Sequence, residues 1–431
     1  MSSYLNIDVP GGWQESRLES LIELNTKITY GVVQPGPEDI EGVPFIRGGD
    51  IFNGKIAINK LRTISNEVSN SYKRTLLNGG ELLMSLVGYP GEVAIVPKSL
   101  AGANIARQAA YVKLGEVVVP KFIMYYFQSD VGKYFLFQKS TGSAQQVINL
   151  VDLKEVTIFY PPHPEQQKIA KILTSVDEVI EKTQAQIDKL KDLKTGMMQE
   201  LLTNGIGHTE FKDSSIGRIP VEWGFKRLGD IYPKIVVGYV GSVNEYYCEK
   251  SEGVPFYRTL NIRDGYIRNT PVKYVTKAFN DKNKKSQIFN EDILIARVGA
   301  NLGMTCKVTG VVGTANIANA IIIKSVKIAS SDFFMEYIRS DMGQRQILAE
   351  AAGGAQGVFN TKLAQELMVP VPSLEEQIKI SIKLGSLDNI IHVNELKLEK
   401  NKATKKALMQ DLLTGKVRVK TTSTNTEVAV G

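Results

Sequence analysis

The sequence is poor in the residues that most often announce chemistry. Two cysteines, Cys248 and Cys306, and three histidines, His163, His208 and His392, are spread over 431 residues. They are too scattered for a zinc cluster and read as ordinary side chains in a reducing compartment. No run of 18 or more apolar residues occurs, so no membrane span is expected. The opening stretch MSSYLNIDVPGGW has neither the basic segment nor the apolar core of a secretory leader, and the expectation is a cytoplasmic protein. Catalytic signatures are missing as well. There is no G-x-x-x-x-G-K-[ST]; TGKVRV at Thr414 lacks the upstream glycine and the following hydroxyl. H-E-x-x-H, G-x-S-x-G and G-x-G-x-x-G are absent. FYPPHP at Phe159 has the prolines of an amino-methyltransferase motif without its asparagine. Carboxylates such as Asp50 and Glu81 recur in no paired arrangement. The chain therefore reads as non-catalytic, with no metal site and no bound cofactor of its own.

What is present is a soluble, globular composition, 43% hydrophobic and 23% charged, in a chain long enough for two or more domains. The net charge of +7 and pI near 9.0 suit a polyanionic partner. The dominant feature is a duplication with a period of about 211 residues. GVPFIRGGDI from Gly42 returns as GVPFYRTLNI from Gly253. ELLMSLVG from Glu81 returns as DILIARVG from Asp292, and ANIA at Ala103 as ANIA at Ala315. MYYFQSDVG at Met124 returns as MEYIRSDMG at Met335. SAQQVIN at Ser143 returns as GAQGVFN at Gly354, and MMQELLTNG at Met197 as LMQDLLTGK at Leu408. Order and spacing are kept throughout, so the chain is two copies of one module, a period far longer than that of solenoid repeats.

Each module opens with short apolar runs separated by Gly, Asn and Asp, which predict strands. PKFIMYYFQSDVGKYFL and SDFFMEYIRSDMGQRQIL predict short amphipathic helices, giving an α+β globular part. Each module then closes with a long helix. Pro164 suits a first turn, and Ser373 is an N-cap with Glu376 three residues on. Ile169, Leu173, Val176, Ile180, Thr183 and Ile187 step by fours and threes, as do Ile380, Leu384, Leu387, Ile391, Asn394 and Leu398, the pattern of a coiled-coil seam. Thr183 and Asn394 place a polar group at the same seam position, a device that fixes register. The expected architecture has two globular α+β domains, 1-160 and 205-370, and two helical spacers, 161-204 and 371-416. The helices pack antiparallel with approximate two-fold symmetry, and a disordered tail follows from 417-431. The stretch from Asn204 to Val221 reads as a surface connection. A 39-residue rod is about 58 Å long, one to two turns of B-DNA.

The repeated polar positions are basic or amide-bearing. Arg47 pairs with Arg258, the Lys73-Arg74 pair with Lys284-Lys285, and Gln145 with Gln356. Lysine and arginine neutralise phosphates, whereas amides and arginine read base edges. Two positions differ between the copies: Arg107 stands where the second copy has Asn319, and Leu86 where it has Arg297. Arginine suits guanine O6/N7 and asparagine suits adenine N6/N7, so these are the positions at which two modules would read different sequences.

GVPFIRGGDI, GSAQQVINL followed by PPHPEQQKIAKIL, MMQELLTNG and GRIPVEWGFKRL, with their second copies, make the chain resemble the specificity subunit of type I restriction–modification enzymes. The likeness spans nearly all of it. Departures are small: His163 stands against Ser373, and the GDI of the first copy becomes Leu260-Asn261-Ile262. The resemblance implies two target-recognition domains that each read half of a split DNA sequence. It also implies long helices that space the domains and dock two modification subunits. S-adenosylmethionine, ATP and Mg are then expected on partner subunits: the methyltransferases that modify adenine N6 and an ATP-dependent restriction subunit. Two other readings fit parts of the pattern: a duplicated protein-interaction scaffold without DNA, and a subunit that itself cuts DNA.

Overall fold

The computed structural model describes residues 10–138, 147–215, 217–352 and 358–420. It separates into two compact units, Met1–Gln184 with Leu396–Gly431, and Ala185–Glu395. The long helices, His163–Leu201 and Leu374–Leu412, are each 39 residues and each contributes one half to each unit.

In the first unit, four antiparallel strands form one sheet in the order Thr29–Tyr30, Ala109–Val112, Leu82–Ser85, Val93–Ile95. A second sheet sets Val43–Ile46 between Arg62–Ile64, antiparallel, and Asn104–Ile105, parallel. The second unit repeats this plan. Ile235–Val237, Ala320–Ile323, Ile293–Ala296 and Thr305–Lys307 form one sheet. Gly253–Tyr257 lies between Lys273–Thr276, antiparallel, and Ala315–Ile317, parallel, in the other. The fold is thus duplicated α+β. The alternation that marks these strands in the sequence is what divides their side chains between two cores. Leu294 and Ala296 join one cluster, whereas Ile293 and Ile295 join another.

Helix Pro120–Gln128 covers the first sheet with fully buried Phe122, Tyr126 and Phe127, each contributing about 1.5–3 kcal/mol by leaving water. The stretch expected to form short amphipathic helices is two helices broken at Ser129. The Ser129 hydroxyl caps the second one by accepting Gly132 N–H at 3.1 Å. Ser340 and Gly343 repeat the break in the second unit. A Cβ on Gly132 or Gly343 would collide with the carbonyl of Tyr126 or Tyr337, which explains why SDxG recurs.

Within each unit the helix halves run antiparallel. In the first, Asp177 pairs with Lys405 at 2.7 Å, and Glu165 with Arg418, just beyond the helix end, at 2.7 Å. In the second, Lys191 meets Glu395 at 2.7 Å and Lys194 meets Asp388 at 2.6 Å. Rising numbers on one helix meet falling numbers on the other. The seam residues Ile169, Leu173, Thr183, Ile187, Ile380, Leu384, Leu387, Ile391 and Leu398 are buried, and Val176, Ile180 and Asn394 are half-buried.

The structure adds detail to several expectations. The ends of the segments 161-204 and 371-416 belong to the head cores. Ile169, Leu173, Leu412 and Leu413 pack with Trp13 and Phe122 in the first, and Leu201, Leu202, Ile380 and Leu384 with Trp223 and Phe333 in the second. Thr183 and Asn394 donate to their own helices, at Val179 O and Ile390 O, so the charged pairs, not these polar groups, tie helix to helix. The connection before Val221 is a hairpin, Phe211–Ser214 against Gly217–Pro220. The tail expected to be free from 417 is held through Lys420. Arg418 and the Val419 N–H bind Glu165, and Lys420 O accepts Lys168 Nζ at 2.6 Å. The rest of the tail lies outside the described residues.

Candidate nucleic-acid interface

The repeated basic pair sits on the same device in both units. Ser65 caps helix Asn66–Ser71 and Thr276 caps helix Lys277–Lys282, each side-chain oxygen accepting a backbone N–H. Each helix runs into a 3-10 turn, Lys73–Thr75 or Lys284–Ser286, on which Lys73, Arg74, Lys284 and Lys285 are exposed. The turns are held from beneath by the asparagine of ANIA, which is fully buried in both copies. Asn104 Nδ2 donates to Ser69 O at 3.3 Å and Tyr72 O at 3.4 Å, and its Oδ1 accepts from Thr75 Oγ1 at 2.7 Å. Asn316 Nδ2 donates to Asn283 O at 3.3 Å and Asn280 Oδ1 at 3.2 Å. A buried amide is tolerated only when satisfied, and here its partners are the residues that shape the basic turn.

The strand that carries the anchoring asparagine leads directly to Arg107 in one unit and Asn319 in the other, both exposed. Arg107 N–H donates to Val32 O at 2.9 Å and Asn319 N–H to Tyr239 O at 3.1 Å, the same backbone station. Parallel pairing of Ile46 with Ile105, and of Tyr257 with Ile317, brings Arg47 and Arg258 alongside. Arg47 is tied to Asp50, Nε to Oδ2 at 3.1 Å and Nη2 to Oδ1 at 3.0 Å. The hydrogen bond to Asp50 and its charge hold the guanidinium pKa above its ordinary value. Antiparallel pairing of Ala296 with Ala320 sets Arg297 opposite Asn319. Leu86, by contrast, is buried in the head core. Gln145 and Gln356 lie outside the described residues.

Other functional-looking groups were not legible as such. Glu376 gives its N–H to the Ser373 cap at 3.3 Å, while its carboxylate gathers Ile206 N–H at 2.9 Å, His208 Nε2 at 2.9 Å and Trp223 Nε1 at 3.0 Å. Its first-copy equivalent Glu165 gathers Arg418 and Val419. Burial pushes the Glu165 carboxyl up, but the hydrogen bonds from Arg418 and the Val419 N–H outweigh it and leave the pKa below its ordinary 4.5. The neighbouring glutamines also repeat a role: Gln166 Oε1 accepts Val119 N–H and Gln377 Oε1 accepts Ser330 N–H, each fastening a head to its own helix. In the second unit Lys194 lies between Asp388, at 2.6 Å, and Glu336, at 3.2 Å. Arg339 bridges Glu336, at 2.8 Å, and Asp264, at 2.7 Å. Burial raises the Glu336 carboxyl against the pull of Arg339 and Lys194. The signal available in the sequence was recurrence: Glu-Gln at the helix starts, and the Lys–Asp pair as Lys194–Asp388 and Lys405–Asp177.

Among the described residues no group of three His, Cys, Asp or Glu side chains could hold a metal ion, and no helix is long and apolar enough to cross a membrane.

Comparison with known proteins follows the same duplication. A family model for the type I restriction modification DNA specificity domain matches twice, at residues 10–192 and 220–402. A chain designated the MjaX type I restriction enzyme specificity subunit of Methanocaldococcus jannaschii is 30% identical over 432 residues, covering 96% of each chain. The EcoBI type I restriction enzyme specificity subunit of Escherichia coli is 30% identical over 195 residues, 45% of this chain and 41% of its own. A crystal structure of a type I restriction–modification S subunit from M. genitalium shares the fold at TM-score 0.58 and 18% identity. The match covers 96% of this chain and 99% of that one.

Proposed function

Because the chain belongs to the type I restriction–modification DNA specificity family, we propose that it is the DNA-recognition subunit in which each head reads one half of a bipartite duplex target. In this reading the long helices set the number of unread base pairs between the halves. They also dock modification subunits that transfer a methyl group to adenine N6, and a restriction subunit completes the assembly. The chain contributes recognition and no catalytic group.

One observation carries the reading. Two heads that have diverged elsewhere both keep a fully buried asparagine, Asn104 or Asn316, whose bonds hold up an exposed pair of cations. A protein-only scaffold gives no reason to maintain that arrangement twice. Phosphate contacts from Lys73, Arg74, Lys284 and Lys285 would position the duplex, and residues near Arg107, Asn319, Arg258 and Arg297 would meet base edges in the major groove.

The ruler role is tested by deleting one heptad from each long helix. Seven residues remove about 10 Å of helix, or about three base pairs at 3.4 Å each. The expected outcome is a shortened or lost spacing with both half-site preferences intact; altered half-sites at unchanged spacing would refute it. The scaffold alternative is separated by a salt titration, since duplex affinity must fall steeply with salt.

A further inference from the structure

We propose that Arg258 and Arg297 form a specificity-determining site in the second head for a ligand face made only of hydrogen-bond acceptors, the guanine O6/N7 edge or phosphate oxygens; it rests on the DNA-recognition reading above. The argument comes from comparing the two copies at equivalent positions.

In the first head the arginine after GVPF has a resident counter-ion. Arg47 gives its fork to Asp50, which is 7% exposed, and Asp50 Oδ2 also accepts Arg47 N–H at 2.8 Å. In the second head the same turn is built with Asn261. Its Oδ1 still accepts Arg258 N–H, at 2.9 Å, so the backbone role is kept. Its Nδ2 is spent on Arg268 O at 2.9 Å and Pro271 O at 3.0 Å. The carboxylate is gone, and Arg258 Nε is buried with no partner among the described residues.

A second cation has been added ahead of a turn bonded to that of Arg258. Where the first head has the buried Leu86, the second has Arg297, whose Nε is also buried and unpartnered among the described residues. The two arginines belong to adjoining turns. Arg297 follows the strand Ile293–Ala296 and its chain runs on to Asn301, whose Nδ2 donates to Thr259 O, next to Arg258, at 3.4 Å. Asn319 lies across from Arg297 by strand register. Substitution has thus removed one anion from one of these turns and added one cation ahead of the other.

Guanidinium offers five donors and no acceptor. Two of them on turns joined by the Asn301–Thr259 bond, each with a buried Nε–H that has no partner among the described residues, leave hydrogen bonds unmade. A pure acceptor completes the site; a donor such as cytosine N4 or adenine N6 would worsen it. The first head, with Arg47 already paired, is not built for the same guest.

The test uses the full chain and duplexes with each half-site randomised in turn. Asn261→Asp gives Arg258 the counter-ion that Arg47 has, and Arg297→Leu restores the first head's residue. Because Arg297→Leu alters a part-buried position and Asn261→Asp takes the donor from Arg268 O and Pro271 O, the fold of both is checked by Trp223 fluorescence, and Arg297→Met, which keeps the stem and deletes the fork, carries the test if either is misfolded. The expected result is a loss confined to the second half-site. A guanine contact shows as a relaxed preference at one base, about 5- to 140-fold. A phosphate contact shows as a uniform loss with the salt slope reduced by about one. Either supports the acceptor site and tells its source. Unchanged affinity and preference in both variants, or a change at the first half-site, would overturn it. If the unaltered chain fails to bind duplex at all, the recognition reading itself falls.

Discussion

Replacing Lys194 by methionine should destabilise the second unit by about 3 kcal/mol. The Lys194 side chain is 7% exposed and is the shared partner of Asp388, at 2.6 Å, and Glu336, at 3.2 Å. Methionine keeps the stem's volume and deletes the charge. Asp388, 37% exposed, can turn to water, but Glu336 is 2% exposed and, among the described residues, keeps Arg339, at 2.8 Å, as its remaining ion partner. Removing one partner of a buried ion pair costs about 3–5 kcal/mol. The lower end applies because burial has already raised the Glu336 carboxyl, so it can take a proton instead of remaining a stranded anion. Adding Glu336→Leu removes the stranded group, and the double variant should regain about 2 kcal/mol. The assay is urea unfolding read by tryptophan fluorescence. The chain has two tryptophans, Trp13 in the first unit and Trp223 in the second, so a Trp13→Phe background reports the second unit alone. With m of about 3 kcal/mol/M, the upper end of the usual range, the midpoint should fall by about 1 M. A fall below about 0.3 M, or no recovery in the double variant, would refute the reasoning that this lysine compensates a buried carboxylate.

Asn104→Ala and Asn316→Ala should each cost about 2–3 kcal/mol in their own unit by stranding buried partners, and weaken duplex binding more than Asn389→Ala at an exposed helix position; equal effects on binding would remove the asparagines from the interface. Lys73→Ala with Arg74→Ala should flatten the slope of log affinity against log salt by about two, at about 0.9 per phosphate, with sequence preference unchanged; base-specific loss would reassign them. Because the Glu165 carboxyl is held below its ordinary 4.5, its contribution is present above about that pH and lost as pH falls through the lower folded value. Glu165→Gln should therefore flatten the acid limb of the first unit's stability, followed by Trp13 fluorescence in a Trp223→Phe background. An unchanged acid limb would mean that the clasp on Arg418 and Val419 adds nothing.

The sequence carried the outline of this molecule well, because duplication and periodicity are properties of many residues at once. The strands around Phe45, Met84 and Tyr111 and the seam from Ile169 to Ile187 all follow from apolar spacing. Single polar residues were harder. Asn104, Gln166 and Glu165 look in the sequence like surface groups, yet their work is done by burial against backbone that only the fold brings near. Lys194 continues the seam spacing after Ile187 and Leu190, and periodicity written for apolar residues passes over it. Arg47 shows what recurrence alone leaves out: paired in the sequence with Arg258, it is committed to a carboxylate three residues away, whereas Arg258 is not. Copy-to-copy comparison was the better guide, since a polar residue kept in both modules marks a structural anchor and one exchanged between them marks divergence in what the heads meet.

Selection of bound duplexes from a fully randomised pool by the intact chain with modification subunits tests the central claim most directly. Two short conserved blocks separated by a fixed number of unselected base pairs, the second block alone altered by Arg297→Leu, is the predicted result. A single contiguous block, or blocks at freely varying separation, would contradict it.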